Sequence, residues 1–394
     1  MSWVEEEFYG ANLGDERLNK RLIKLTQRLA DKPSASIPNA CNDWSETAAT
    51  YRFFDQANNS KRPLGWEAVL TPHIEQTMQR MGQHPVVLCL QDTTELNYNG
   101  QEIEGLGPLS YETQRGMYLH PTYVVTPQRE PLGVIDAWMW AREFKDENGH
   151  RPGVKESDRW IEGYERVAET AESMPDTRCV YVADRESDMV TLMHRSAQLN
   201  HPADWLIRSR HNRVLPSGKK LWDQTLAGDA IGEIEFILPA RGNQKTRTVR
   251  QSIWVQRTRI PDGQKGKQKG MLDITCLVAK EMNPPKGIKA IEWRLVTNRE
   301  VSGLSEAVQL IDWYRCRWGI EVFFNVLKNG CRIEALQLGH VKKIELALAV
   351  YMVVAWRLAK LVRLGRTHPD ISAADLFSLD EWRAAYILAK KKPP

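Results

Sequence analysis

The sequence predicts an α/β protein: a mixed sheet interrupted by a strand-rich insertion, with helical regions at both ends. Two short apolar runs, Val86 to Leu90 and Cys179 to Ala183, each stop at a polar turn, as buried strands do. The segments between and after them read strand, hairpin, helix, strand, helix, an order that gives a sheet of mixed direction. Apolar residues also recur at helical spacing on both sides of this block, at Leu18, Leu22, Leu25 and Leu29 and again from Ser305 onward.

The first helix starts after Leu13-Gly14-Asp15, with Asp15 as its cap, and turns its leucines inward. Arg17, Lys20, Arg21, Lys24 and Arg28 occupy its other faces, either as a solvated surface or as a track for a DNA backbone. A second helix over Trp44 to Phe54 completes a helical amino-terminal region, residues 1–82. The first part of the core, residues 83–204, holds the strand Val86 to Leu90, a hairpin of Thr122 to Val125 with Leu132 to Trp138, a helix over Lys155 to Thr170 and the strand Cys179 to Ala183. Alternating apolar residues over 231–238, 248–257, 272–278 and 291–297 predict an inserted β domain, residues 205–298, with the Lys/Gln/Gly run Gly263 to Gly270 as an exposed turn or mobile loop. Helices return in the second part of the core, residues 299–365, at Leu310 to Lys328 and Ile344 to Leu364. A short helical carboxy-terminal region, residues 366–394, carries a helix over Asp380 to Ala389 and a frayed tail, Lys390-Lys391-Lys392-Pro393-Pro394.

A chain of 394 residues that is 42% hydrophobic can bury a large core in two or three domains. Its six cysteines contain no CxxC pair, which argues against a disulfide framework or a structural zinc site and fits a reducing cytoplasm. Met1-Ser2-Trp3-Val4 leads into three glutamates rather than into an apolar run, so neither a secretory leader nor a membrane anchor is expected. The net charge of +4 decides little, but its distribution is uneven. Between His201 and Gly270, fourteen Lys and Arg, among them Arg208, Arg210, Arg241 and Lys245, face six acidic residues. This stretch is a phosphate-binding surface or an ordinary solvated one.

Asp92 and Asp184 each follow a buried strand directly, where α/β sheets place ligands and catalytic groups. Alone, either reads equally as the cap of a turn. The helix Leu310 to Lys328 adds a third carboxylate. Tyr314, Arg317, Glu321 and Lys328 stand at offsets 0, 3, 7 and 14, which at 100° per residue fall within a sector of roughly 60°. Ile320, Phe323 and Leu327 stand opposite. An i, i+4 ion pair between Arg317 and Glu321 on a solvated face is the plainer reading. Three carboxylates could instead hold two Mg²⁺ or Mn²⁺ ions about 4 Å apart for phosphoryl transfer. The nine histidines form no HxxxH pair, and the chain has no nucleophile elbow, P-loop or dinucleotide fingerprint.

Tyr314-x2-Arg317-x3-Glu321-x6-Lys328, Asp184-Arg185-Glu186-Ser187-Asp188 and Asp92-Thr93-Thr94 together resemble the signature of the insertion-sequence-four transposases. Further strings run in the same order over nearly the whole chain: Leu13-Gly14-Asp15, Tyr51-Arg52-Phe53, Lys155-Glu156-Ser157, Arg208-Ser209-Arg210 and Asn283-Pro284-Pro285-Lys286-Gly287 followed by Trp293. The resemblance implies a ribonuclease-H-like core with a β insertion, and Asp92, Asp184 and Glu321 as ligands and catalytic residues of a two-metal Mg²⁺ or Mn²⁺ site. It further implies that Tyr314, Arg317 and Lys328 contact phosphates near the cleaved strand, and that Arg208 and Arg210 contact transposon-end DNA. Arg17 and Arg21 would belong to an end-recognition helix, and Trp293, otherwise an ordinary strand aromatic, would stack on a base flipped out when the end closes as a hairpin.

The implied activity is cut-and-paste DNA transposition by a homodimer on inverted-repeat ends and target DNA, in the bacterial cytoplasm at the nucleoid. A regulator or inhibitor descended from such an enzyme, or a two-metal nuclease without strand transfer, are the other readings. Two departures accompany the resemblance. Asn325 stands where a close relative carries a second lysine, and the chain ends at Pro394 where relatives continue into a helical region that pairs two subunits.

Overall fold

A computed structural model describes residues 2–238, 240, 246–263, 270–377 and 379–390. The loop expected at Gly263 to Gly270 lies, over 264–269, outside the described residues, as do Arg241, Lys245 and the tail at 391–394. Helix α1 (Trp3–Glu7) opens with a reciprocal capping box between Ser2 and Glu5. Helix α2 (Glu16–Asp31) starts where the Asp15 carboxylate accepts the Arg17 backbone N–H, as predicted. The buried leucines of α2 pack against α3 (Ile37–Ala40) and α4 (Trp44–Asp55). Helix α5 (Trp66–Met81) then ends at Gly82, the expected limit of the helical region.

Two of the cations on α2 turn toward α4. Lys24 Nζ and Arg28 Nε lie 2.7 and 3.1 Å from the buried Glu46 carboxylate. Burial pushes this carboxyl up, but the Asn42 amide, Lys24 and Arg28 outweigh it and bring it down to about 2. Its stabilising contribution is therefore complete above the ordinary value of 4.5 and lost as the pH falls toward 2. Glu46→Gln is expected to cost roughly 2–3 kcal/mol at pH 7, with the deficit shrinking in thermal melts taken toward pH 3. A deficit that stays constant with pH would rule out the ion pairs as its source.

The core sheet contains β1 (Val86–Gln91), β2 (Thr94–Asn97), β3 (Gly107–Pro108), β4 (Arg115–Val125) and β5 (Pro131–Trp140). It continues after α6 (Asp158–Glu172) with β6 (Arg178–Ala183), and after α7 (Val190–Gln198) with β7 (Asp204–Arg208). Strand β1 pairs antiparallel with β4 and parallel with β6, β6 pairs parallel with β7, and β5 lies on the far side of β4. The spatial order β5-β4-β1-β6-β7, three antiparallel strands followed by two parallel ones, is that of a ribonuclease-H-like sheet.

The strands expected as an insertion continue this sheet. After α8 (Leu221–Leu226) come β8 (Gly232–Leu238), β9 (Arg247–Pro261), β10 (Met271–Glu281) and β11 (Glu292–Thr297). Strand β11 pairs antiparallel with β7, Leu295 opposite Arg208, and β10, β9 and β8 follow outward. Among the described residues the result is one eleven-stranded sheet. Its half-buried outer strand β8 alternates in burial residue by residue, whereas the central runs are buried on both faces.

One face is covered by α6, α7 and α8. Helix α6 approaches β1 closely at Gly163, where a Cβ would come within 2.0 Å of the buried Gln91 amide. The other face carries α5, α9 (Leu304–Cys316), α10 (Trp318–Asn325) and α11 (Val341–Thr367). Helix α11 is apolar around its whole circumference from Leu346 to Ala355 and is buried there, as such a helix must be. The exposed α12 (Leu379–Lys390) closes the chain. Among the described residues no helix is long and apolar enough to cross a membrane.

Candidate active site and nucleic-acid interface

Gln91 and Ala183 are the last register partners of the parallel pair β1 and β6, so the next residue on each strand, Asp92 and Asp184, emerges at the same edge of the sheet. Their local geometry is set by the turns that follow. Asp92 Oδ1 accepts the Thr93 amide at 2.8 Å, and Asp184 Oδ1 accepts the Glu186 amide at 2.8 Å, capping the 3₁₀ turn Arg185–Ser187.

Glu321 arrives from the other face. Helix α10 and the turn after it seat Ile320, Phe323 and Leu327 in the core, the Phe323 ring stacked on Tyr123 with centroids 4.5 Å apart. The helix lies against Leu90 and Val125 at Gly319. Arg317 joins the two sides: Nη1 donates to Asp92 Oδ2 at 2.6 Å, and Nη2 lies 3.7 Å from Glu321 Oε1. Burial pushes the Asp92 carboxyl up, Arg317 pulls it down, and the Asp184 and Glu321 charges push it up again, to about 6. Hard oxygen donors with this excess of negative charge suit a divalent cation. Among the described residues, however, no three acidic, histidine or cysteine side chains are gathered in ligating geometry.

The helix predicted over Leu310 to Lys328 is not one regular α-helix. It changes winding at Arg317, where the Arg317 and Ile320 amides bond to carbonyls three residues back, and it ends in the π turn Val326–Gly330, where the Cys331 amide reaches the Val326 carbonyl at 2.8 Å. A uniform 100° step therefore does not describe its faces. Tyr314 is buried rather than displayed; burial pushes its phenol up, while Arg317 and Arg208 pull it back. Lys328 turns to Glu334, 3.8 Å away, and Glu334 in turn accepts the Asn97 amide at 2.7 Å.

Arg208 and Arg210 line a cavity of about 500 Å³ together with Arg185, Trp222, Trp293 and Arg294. Half-buried Trp293 stacks on Phe236 at 5.7 Å, and Arg294 lies 4.0 Å over the Trp222 ring. Buried Asp188 shapes the wall by accepting the Arg210 and His211 amides at 2.6 and 2.9 Å and pairing with Arg213 at 2.6 Å. Other cations of the basic segment are tied up within the sheet, Arg247 to Glu281, Arg250 to Glu235 and Arg259 to Asp273. Arg17 and Arg21 sit one turn apart on α2, remote in sequence from this cavity, Arg17 exposed and paired with Asp15 at 2.8 Å.

Sequence reasoning did not single out Asp188, Arg159, Glu186 or Glu334, although Asp188 and Glu186 stand in a quoted string beside Asp184. That string was the available signal.

Comparison with known protein families finds three matches. Residues 155–356, just over half of the chain, match the family described as Transposase DDE domain; the span includes Asp184, Arg208, Arg210, Trp293 and the Tyr314 to Lys328 segment, with Asp92 upstream of it. Residues 1–59 match Transposase DNA-binding, and residues 353–394 match Transposase Tn5 dimerisation domain. The last of these matches begins within α11 and takes in α12. With a DNA-binding match at one end, a dimerisation match at the other and the DDE domain between, this chain belongs to the DDE transposases of the insertion-sequence-four, Tn5-like kind, metal-dependent nucleases and strand transferases.

Proposed function

We propose that this transposase excises and reinserts its element by a cut-and-paste route, with Asp92, Asp184 and Glu321 holding two Mg²⁺ or Mn²⁺ ions. The observation that carries this reading is the emergence of Asp92 and Asp184 from paired parallel strands, with Glu321 brought to them through Arg317. Bound there, the two ions would activate a water or a 3′-hydroxyl and stabilise the leaving oxygen. Arg317 keeps positive charge beside Asp92 and Glu321, where a scissile phosphate must pass, and buried Tyr314 interacts with it electrostatically. Lys328, held by Glu334, is a second cation for the same strand.

Arg208 and Arg210 would grip phosphates of the transposon end at the cavity mouth, and Trp293 offers an aromatic face to a base turned out of the duplex while the end closes as a hairpin. Arg17 and Arg21 would contact the inverted repeat from α2, and two subunits would pair in a synaptic homodimer through the region that starts in α11. The decisive assay incubates the protein with Mg²⁺, DNA carrying the ends of the element that encodes it, and a supercoiled target. Nicked ends, a hairpin species and joined product are expected in that order. End binding without cleavage would instead mark a regulator, and cleavage without joined product a nuclease.

A further inference from the structure

The guanidinium of Arg159, on α6, spans the two loops that follow Asp92 and Asp184. Its Nε donates to the Thr93 hydroxyl at 3.2 Å, and its Nη2 pairs with Glu186 at 3.1 Å. One rigid planar group thus touches the residue after the first aspartate and the second residue after the other. Those same residues orient the carboxylates, because the Thr93 and Glu186 amides are the donors to Asp92 and Asp184.

Arg159 itself is held firmly. It is 6% exposed and lies between the rings of Trp140 and Trp160, 5.1 and 5.5 Å from their centroids. Trp140 stacks on Tyr118 at 5.0 Å, Tyr118 lies under Arg142 at 4.1 Å, and Glu156 ties the stack together by accepting the Trp140 indole N–H, the Arg142 guanidinium and, through its carbonyl, Arg159 Nη1. On the other side of Thr93, its hydroxyl meets His120 Nδ1 at 2.9 Å, and the His120 ring stands edge-on to Trp160. Burying this cation costs desolvation, which Glu186 and Glu156 in part offset.

We infer that Arg159 is a positioning residue that fixes the separation of the Asp92 and Asp184 carboxylates, and with it the affinity of the site for divalent cations. The inference rests on the reading of these aspartates as metal ligands. Supporting residues of this kind change metal affinity or activity by about 10- to 100-fold when altered. Lysine cannot replace the bridge, since a point charge on a flexible stem neither reaches two partners at once nor stacks in the same way.

The test uses the whole chain with Arg159→Lys, Glu186→Gln and Asp92→Asn variants. Mn²⁺ binding is measured by the paramagnetic resonance of free Mn²⁺, the Mg²⁺ requirement by end cleavage, and folding by thermal melting. Both bridge variants should weaken Mn²⁺ binding and raise the half-saturating Mg²⁺ concentration by about 10-fold or more, with end-DNA binding unchanged. Glu186→Gln, altered at a side chain 58% exposed, should melt like the parent. It keeps the test valid should Arg159→Lys fail to fold. If Asp92→Asn weakens Mn²⁺ binding while the bridge variants do not, Arg159 is only a packing residue and the inference falls. If Asp92→Asn leaves Mn²⁺ binding intact, the metal site itself has been misassigned.

Discussion

Asp92→Asn should abolish strand cleavage and at the same time make the protein more stable. A loss of about 10³-fold or more is expected, the scale on which removing a preorganised charge from a reacting centre acts, with end-DNA binding kept within about twofold because the cations proposed to hold the ends, Arg17, Arg21, Arg208 and Arg210, lie elsewhere. The gain in stability follows from the Asp92 carboxyl being raised from 3.8 to about 6 by burial and by the Asp184 and Glu321 charges. A folded-state value above the unfolded one means that the folded protein binds the proton more tightly, so stability is lost as the pH rises through that window. An amide carries no such charge. Even after allowance for the lost Arg317 contact, the variant should gain ~1–2 kcal/mol at pH 8 and nothing below about pH 4, measured by chemical denaturation. Lower stability at pH 8 would mean that the ion pair with Arg317 is chiefly structural.

Phe323→Ala should cost about 3–5 kcal/mol and slow cleavage by about 10²-fold. The ring is fully buried, stacks on Tyr123 of β4 and anchors the same two-turn helix that carries Glu321. Its loss leaves a cavity under α10, and a small shift of that helix moves the Glu321 carboxylate relative to Asp92. Phe323→Leu should restore most of the stability and most of the rate. Denaturation midpoints and cleavage at saturating Mg²⁺ give the two numbers; a fall in stability with no change in rate would separate the anchor from the site.

The elements that were legible in the sequence are those with a strong period or an abrupt end. The runs Val86 to Leu90 and Cys179 to Ala183 announced buried strands, and an aspartate at the end of each was a matter of reading one residue further. The four strands between 231 and 297 were visible as alternation, but alternation says nothing about which strand pairs with which. That β11 would lie beside β7, making one sheet, depends on contacts between residues almost ninety apart in sequence. The helix bearing Glu321 was located correctly and its winding was not. A 3₁₀ step at Arg317 and a π turn over Val326–Gly330 interrupt it, and no apolar periodicity encodes either. Arg159 was invisible for a related reason: a lone arginine on an amphipathic helix reads as surface, and only the stack of Tyr118, Trp140 and Trp160 shows it to be interior.

The chain leaves the core at Arg208 and comes back at Leu295, its neighbour across the β7 and β11 pairing. In topological terms the whole strand-rich segment is a hairpin whose turn has grown to include α8 and three more strands. Growth of this kind is thermodynamically inexpensive, because the entropy of closing a loop rises only with the logarithm of its length. It also leaves the two flanking strands where they were. A lineage could therefore enlarge, reshape or shorten the outer strands, and the cavity lined by Arg208, Arg210 and Trp293 with them, while the spacing of Asp92, Asp184 and Glu321 stayed constant. Variation in substrate handling and conservation of chemistry would then be two consequences of a single point of attachment.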